Sequence, residues 1–285
     1  MNKSNSVPVK QSFSLALLRT SIRLLANFSP RIVGKILYFF WFRPIRFIYP
    51  IKETKIIQQA KTVQYPSAHS TIQIYSWGQG PTVLFMHGWS GRGTQICDAI
   101  KPLVEAGFKV VTFDGPAHGK SSGTSTDIFQ YAEICDYIFS HYGPLHGIIA
   151  HSMGAMVFSY AYQQNMPLNK AIFISAPASL QTMIDHYQKL LAVPTPIIEN
   201  FVARLKKNYG ENIFAKISLL TNSQKIHAPL LVMHDENDDV VPITEAEKII
   251  QANPQAKYIK TRTLGHNPIL NDKQVIQHIV DFIVS

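Results

Sequence analysis

The chain has 285 residues, 46% of them hydrophobic, which suits one large domain with a sizeable core and excludes a disordered polar chain. Its net charge of +9 is unevenly spread: residues 1–60 hold ten Lys and Arg but a single acid, Glu53, while the remaining residues carry 17 bases and 17 acids. The basic excess therefore belongs to an N-terminal arm, and nucleic-acid binding by the rest of the chain is not expected. The two cysteines, Cys97 and Cys135, have no metal-ligand spacing and read as reduced, buried small hydrophobes.

In chain order, Leu15, Leu18, Ile22 and Leu25 recur at helical spacing, which predicts an amphipathic helix over 13–28 with Arg19 and Arg23 elsewhere on the wheel. Ser29-Pro30 reads as the cap and first position of a second helix to about Trp41, ended by Arg43-Pro44, with an extended lead-in beyond. No secretory signal is expected, because Arg19 breaks the first apolar run and no small-residue cleavage site follows. The run Ile32–Phe42 falls short of the about 20 apolar residues a spanning helix needs. From Thr71 onward, strand-like runs (Thr71–Ser76, Thr82–His87, Phe108–Asp114, Gly147–Ala150, Ala171–Ser175, Leu230–His234, Lys257–Thr261) alternate with helical segments near 94–106, 127–141, 153–164, 244–252 and 272–283. Continuous apolar strands such as Val83–Met86 suit a parallel sheet covered on both faces. No strand signal occurs between Ser175 and Leu230. The helical stretches Leu180–Leu191 and Ile197–Lys207 make residues 178–225 an expected helical cap over the sheet's carboxyl edge.

The chemistry-bearing motif is Ala150-His151-Ser152-Met153-Gly154 between an apolar strand and a helix. A serine there sits on a tight turn with small residues two before and two after, because strand and helix approach closely. Upstream, Phe85-Met-His87-Gly88-Trp89-Ser90-Gly91 follows one strand and Asp114-Gly-Pro-Ala117-His118-Gly119-Lys-Ser121 follows the next. The ending Gly119-Lys120-Ser121 is not a phosphate loop, since the first glycine of that motif would fall on Asp114.

Together these motifs resemble the α/β-hydrolase superfamily over roughly residues 70–285. Two departures are Ala150 for the usual glycine before the serine and Ala117 in the D-x-x-G-x-G-x-S turn. The resemblance implies an α/β fold with a mainly parallel sheet and helices on both faces, here with an arm (1–60), a hydrolase domain (61–285) and the cap at about 178–225. It also implies Ser152 as nucleophile, His266 of Leu264-Gly-His-Asn267 as base, and backbone amides of Trp89 and Met153 as oxyanion donors. The stretch His234-Asp235-Glu-Asn-Asp238-Asp239-Val-Val-Pro242 offers several carboxylates. The family pattern selects Asp238, leaving Asp235 and Asp239 as solvated loop charges. His87 reads as a brace of its loop, the Trp89 indole as a candidate wall of the acyl pocket, and His118, His151 and His234 as structural.

The expected reaction is cleavage of a carboxylic ester through an acyl-enzyme, with thioesters, acyl-carrier methyl esters and membrane-surface lipids as alternatives. A serine rather than an aspartate at the nucleophile position argues against dehalogenase and epoxide-hydrolase chemistry. No H-E-x-x-H, cysteine cluster or G-x-G-x-x-G calls for a metal or organic cofactor. The expected partner is a small ester or acyl substrate, the expected location cytoplasmic. Residues 13–49 either pack on the domain, mediate self-association or touch an anionic membrane surface from the inner side.

Overall fold

The computed structural model describes residues 13–162 and 166–285. The first twelve residues of the arm, and the last positions of the helix expected over 153–164, lie outside the described residues.

Eight strands form one sheet in the order β1-β2-β4-β3-β5-β6-β7-β8. They are β1 (Lys61–Pro66), β2 (Thr71–Trp77), β3 (Thr82–Met86), β4 (Lys109–Phe113), β5 (Leu145–His151), β6 (Leu168–Ile174), β7 (Leu230–Asp235) and β8 (Lys257–Thr261). β1 and β2 pair antiparallel, as do β2 and β4, and the other six strands run parallel. The sheet is therefore mainly parallel, and its central strands are apolar because both faces are covered. Leu84, Met86, Ile148 and Ala150 join one core, and Val83, Phe85 and Ile149 join the other.

After the arm helices α1 (Phe13–Phe28) and α2 (Pro30–Trp41) comes α3 (Ile51–Gln58). The helices of the sheet are α4 (Cys97–Glu105), α5 (Ile128–Tyr142), α6 (Met153–Ala161), α11 (Ile243–Ala252) and α12 (Lys273–Val284). Between β6 and β7 lie α7 (Leu180–Leu191), α8 (Thr195–Tyr209) and the short α9 (Ile213–Lys216) and α10 (Leu219–Ser223). Buried Glu245 on α11 ties this insertion to the body. It accepts from the Ala178 amide at 3.0 Å and from the Thr182 hydroxyl.

Two sequence expectations need correction here. The stretch read as an extended lead-in contains α3 and the edge strand β1. β1 alternates exposed with half-buried residues, so its pattern is weak, and it gains its place from six-residue pairing with β2. On α1, Leu18 and Leu25 are exposed, and the packed stripe is instead Leu15, Arg19, Ile22 and Ala26. This helix has two apolar faces, and the face bearing Arg19 is favoured because its guanidinium donates to the Leu190 carbonyl (2.8 Å) at the end of α7. Trp41 then stacks edge-on against Tyr187 of α7 and Phe201 of α8, so the arm shares a core with the insertion.

Candidate functional site

The chain runs from β3 to β4 on one side of the sheet, then crosses to β5 on the other side of β3. That reversal opens a crevice at the carboxyl ends of β3 and β5, where ligands bind in open α/β sheets. Met86 pairs with Ala150 in register, so the loops after these strands, 87–92 and 151–153, emerge side by side.

Ser152 occupies the turn between β5 and α6 at φ 53° and ψ −126°, a conformation disfavoured for any residue with a Cβ. The turn is tight enough that a Cβ on Gly154 would lie 2.5 Å from the Met86 carbonyl oxygen, and one on Gly88 would lie 2.8 Å from Ser152 Cβ. Ala150, two residues before the serine, is fully buried in the sheet.

Ser152 Oγ lies 3.0 Å from His266 Nε2, and His266 Nδ1 lies 2.8 Å from Asp238 Oδ2. All three are buried, with 8% exposure each, so the pairings form away from bulk water. The second carboxylate oxygen of Asp238 accepts from the amides of Val240 (2.9 Å) and Val241 (2.8 Å). Burial pushes the Asp238 carboxyl up, but the hydrogen bond and charge of His266 and these amides outweigh it and hold the group below the usual carboxylate range. The amides of Trp89 and Met153 donate to no group among the described residues. Met153 opens α6 directly after the serine, and Trp89 follows Gly88, whose Cα faces Ser152.

Asp235 is not a solvated loop charge. It is buried at the end of β7 and accepts from the amides of Gly265 (2.9 Å), Leu264 (3.1 Å) and Asn237 (2.9 Å) and from the Thr261 hydroxyl (2.7 Å). Burial raises its pKa, but these donors together hold it below the ordinary value. The reading of a charge-rich loop as solvated fails because one strand residue, still in the sheet, turns inward to organise the neighbouring loop that carries His266. Asp239 is exposed.

Four further histidines surround the site as uncharged supports. Gly115 N–H donates to His87 Nε2 at 2.9 Å, which leaves His87 Nδ1–H to donate to the Gly88 carbonyl at 2.7 Å. Burial pushes the His87 pKa down to about 4. His151 Nε2 donates to the His266 carbonyl (2.9 Å), and burial, reinforced by the charge of His266, pushes its pKa down to about 3. His234 Nε2 donates to the Val241 carbonyl (2.8 Å), holding the turn on which Asp238 sits. His118 donates to the Pro116 carbonyl (2.9 Å) and packs edge-on against Trp89 at 5.2 Å between ring centres.

The sequence reading does not reach two groups near this site. His186 on α7 is half-buried, and its pKa is lowered by burial and then by the charge of His266. The second group is a clamp from the arm onto the loop after β3. The Glu53 carboxylate accepts from Arg92 Nε and a terminal Arg92 nitrogen, both at 2.5 Å, and from Thr94 at 2.6 Å. The Ile45 amide donates to Ser90 Oγ (2.9 Å), and the Tyr49 hydroxyl to fully buried Asp114 (2.9 Å), which also accepts from the Gly93 amide (2.8 Å). The available signal was Glu53 itself, a lone acid among ten bases. Cys97 and Cys135 are buried free thiols, and among the described residues no group of His, Cys, Asp and Glu is arranged to hold a metal ion.

Residues 81–210 match the family model of the alpha/beta hydrolase fold. The bifunctional esterase/perhydrolase DCH of Acinetobacter calcoaceticus is 25% identical over 215 residues, covering 58% of this chain and 78% of its own. A pimeloyl-acyl-carrier-protein methyl ester esterase of Vibrio campbellii is 20% identical over 241 residues, 70% of this chain and 92% of its own. Among solved structures, a membrane phospholipase A described as a bacterial virulence factor is similar with a TM-score of 0.60 and 19% identity, covering 95% of this chain and 96% of its own. The mainly parallel sheet with its switch point and these likenesses agree, and the chain has the α/β-hydrolase fold.

Proposed function

We propose that the protein is a serine hydrolase that cleaves carboxylic esters through an acyl-enzyme. The observation that carries this reading is the line Ser152 Oγ–His266 Nε2–Asp238, at 3.0 and 2.8 Å, beside two unpaired backbone amides. His266 takes the Ser152 proton as Oγ attacks the ester carbonyl, and Asp238 holds the imidazole in the tautomer that makes this possible. The amides of Trp89 and Met153 stabilise the oxygen that becomes negative. One such donor is worth about 2.7–4 kcal/mol in comparable sites. The imidazolium returns the proton to the departing alcohol and leaves Ser152 acylated. His266 then deprotonates a water, which attacks the acyl carbonyl, and the serine regains its proton as the acid departs. A thioester follows the same steps with a thiol as leaving group.

A fluorophosphonate probe tests the reading. Native protein should be labelled at Ser152, with labelling lost in Ser152→Ala and after heat denaturation. A native protein that stays unlabelled overturns the proposal. A chain-length series of p-nitrophenyl esters, run beside acyl thioesters, then separates the ester from the thioester reading.

A second reading, membrane-surface lipid hydrolysis, is favoured by one observation. Of the fifteen large apolar side chains exposed among the described residues, thirteen lie between Leu17 and Ile51, including Phe28 at 87% and Ile48 at 95% exposure. An exposed apolar surface of this extent, interleaved with Arg23, Arg31, Lys35 and Arg46, has the composition of an interfacial segment. None of the helices searched among the described residues is long and apolar enough to cross a membrane, so the contact proposed is peripheral. The phospholipase named above supplies a fold parallel for such a location.

A further inference from the structure

A cavity of about 520 Å³ lies where the arm, the insertion and the loop before α5 meet. Its wall includes Lys35, Tyr38, Phe39 and Arg43 from the arm, Arg204 from α8, and Asp127 at the start of α5. Three cations thus face one carboxylate. Both oxygens of that carboxylate are occupied: Oδ1 accepts from the Gln130 amide (2.9 Å) and Oδ2 from the Tyr209 hydroxyl (3.1 Å). No carboxylate pairs with Lys35, Arg43 or Arg204 among the described residues. The two guanidiniums are instead held over aromatic faces, Arg204 above Tyr38 (4.2 Å to the ring centre) and Arg43 above Phe39 (3.3 Å). Those stacks fix the cations in place and leave their charge uncompensated.

The rim of the cavity continues into the exposed apolar surface. Phe39 both lines the cavity and is 50% exposed, and Ile32, Ile36 and Phe40 stand beside it on α2 at 56%, 42% and 57% exposure. A pocket of unpaired cations bordered by a projecting apolar ridge matches a molecule that is anionic at one end and hydrocarbon at the other. A second copy of the chain would not suit this face. It would bring two strongly basic arms together, and the arm's only acid, Glu53, is buried against Arg92.

We propose that this cavity takes the phosphate of an anionic phospholipid, with Lys35, Arg43 and Arg204 as its counter-charges, while Ile32, Ile36, Phe39 and Phe40 enter the acyl layer. The site rests on the membrane-surface reading above but is separate from Ser152, so it anchors the protein on lipid rather than presenting the scissile bond.

The test is flotation of the full chain with vesicles of phosphatidylcholine alone and of equimolar phosphatidylcholine and phosphatidylglycerol. Three proteins are compared: the unaltered chain, Lys35→Gln/Arg204→Gln, and a control pair Arg23→Gln/Arg31→Gln, exposed bases outside the cavity. Hydrolysis of a water-soluble ester, p-nitrophenyl butyrate, reports that each variant is folded. The expected result is binding that requires phosphatidylglycerol. It should fall on the order of 100-fold or more in the cavity pair, well beyond the about 25-fold that losing two cations from diffuse attraction supplies at about five-fold each, and clearly less in the control pair. Equal losses in the two pairs would mean diffuse charge attraction and overturn the site. Equal binding to both vesicle types leaves the membrane reading standing and removes the headgroup site, whereas no flotation of the unaltered chain removes both. Inorganic phosphate without vesicles provides the last arm. Thermal stabilisation by phosphate that is lost in the cavity pair, without flotation, would assign the cavity to a soluble phosphate and overturn the lipid assignment.

Discussion

Asp235 and Asp239 are four residues apart in one acidic loop and do opposite things. Asp235 ends β7 and gathers three amides and a hydroxyl from the loops on either side, while Asp239 points to water. Replacing Asp235 by Ala leaves half-buried donors at Leu264 and Gly265 without acceptors, each at a cost of up to about 1–3 kcal/mol. We expect Asp235→Ala to lose about 3 kcal/mol or more in urea unfolding and to slow ester turnover through a misplaced His266. Asp239→Ala should change stability by no more than about 0.5 kcal/mol, as an exposed side chain without such partners. Equal stability of the two variants would refute the role given to Asp235. Strain is local in the same way: Ser152 and Ala117 both sit at positive φ, 53° and 63°, and at Ala117 the carbonyl is held by Arg46 at 3.0 Å.

At the scale of elements, the segment joining α2 to α3, together with the first turn of α3, determines how the loop after β3 is held. Its Ile45, Tyr49 and Glu53 grip Ser90, Asp114 and Arg92, so the turn that carries the Trp89 amide is clamped from outside the sheet. The Glu53–Arg92 pair is almost wholly buried, with side-chain exposures of 4% and 8%. Removing one partner of such a pair typically costs about 3–5 kcal/mol, because the other charge is stranded, whereas replacing both by apolar residues is far milder. Glu53→Gln should therefore lower the thermal midpoint sharply and reduce turnover, and Glu53→Leu/Arg92→Met should recover most of the stability. A Glu53→Gln protein of unchanged stability would show that the clamp contributes nothing. The same dependence makes the arm part of the folded unit, since Ile22, Val33 and Leu37 are buried in the larger core.

For the whole molecule, buried neutral histidines set the response to acid. His87 and His151 have folded pKa values of about 4 and about 3, both from burial, against about 6.5 when unfolded. The unfolded chain therefore binds more protons below pH ~6.5, so stability rises with pH and falls on acidification, by up to about 1.4 kcal/mol per pH unit for each histidine. The loss begins near the unfolded value and continues to the folded ones. Asp238, depressed below its ordinary value, adds a further loss only at the acid end, as pH falls from about 3.9 through its folded pKa. Urea unfolding followed from pH 7 to pH 4 should show this slope, and His151→Asn should flatten it. A stability independent of pH over that range would contradict the neutral-histidine reading.

The sequence by itself determined the α/β class, most strand positions of the parallel sheet and the resemblance to the α/β-hydrolase fold. Those features are written in local patterns: apolar runs too continuous for a half-exposed sheet, helical periodicity between them, and small residues around Ser152. It also singled out Ser152, Asp238 and His266, which the fold brings into one hydrogen-bonded line. It did not reveal β1 or α3, nor which apolar face of α1 packs, because the weak alternation of β1 and the twin faces of α1 are resolved only by the neighbours that cover them. Asp235 inward and Asp239 outward, Glu53 against Arg92, and three cations around one cavity are decisions of tertiary structure. Each depends on which residues from distant parts of the chain arrive at the same place, and the burial of a charge is settled by its partners rather than by its own identity.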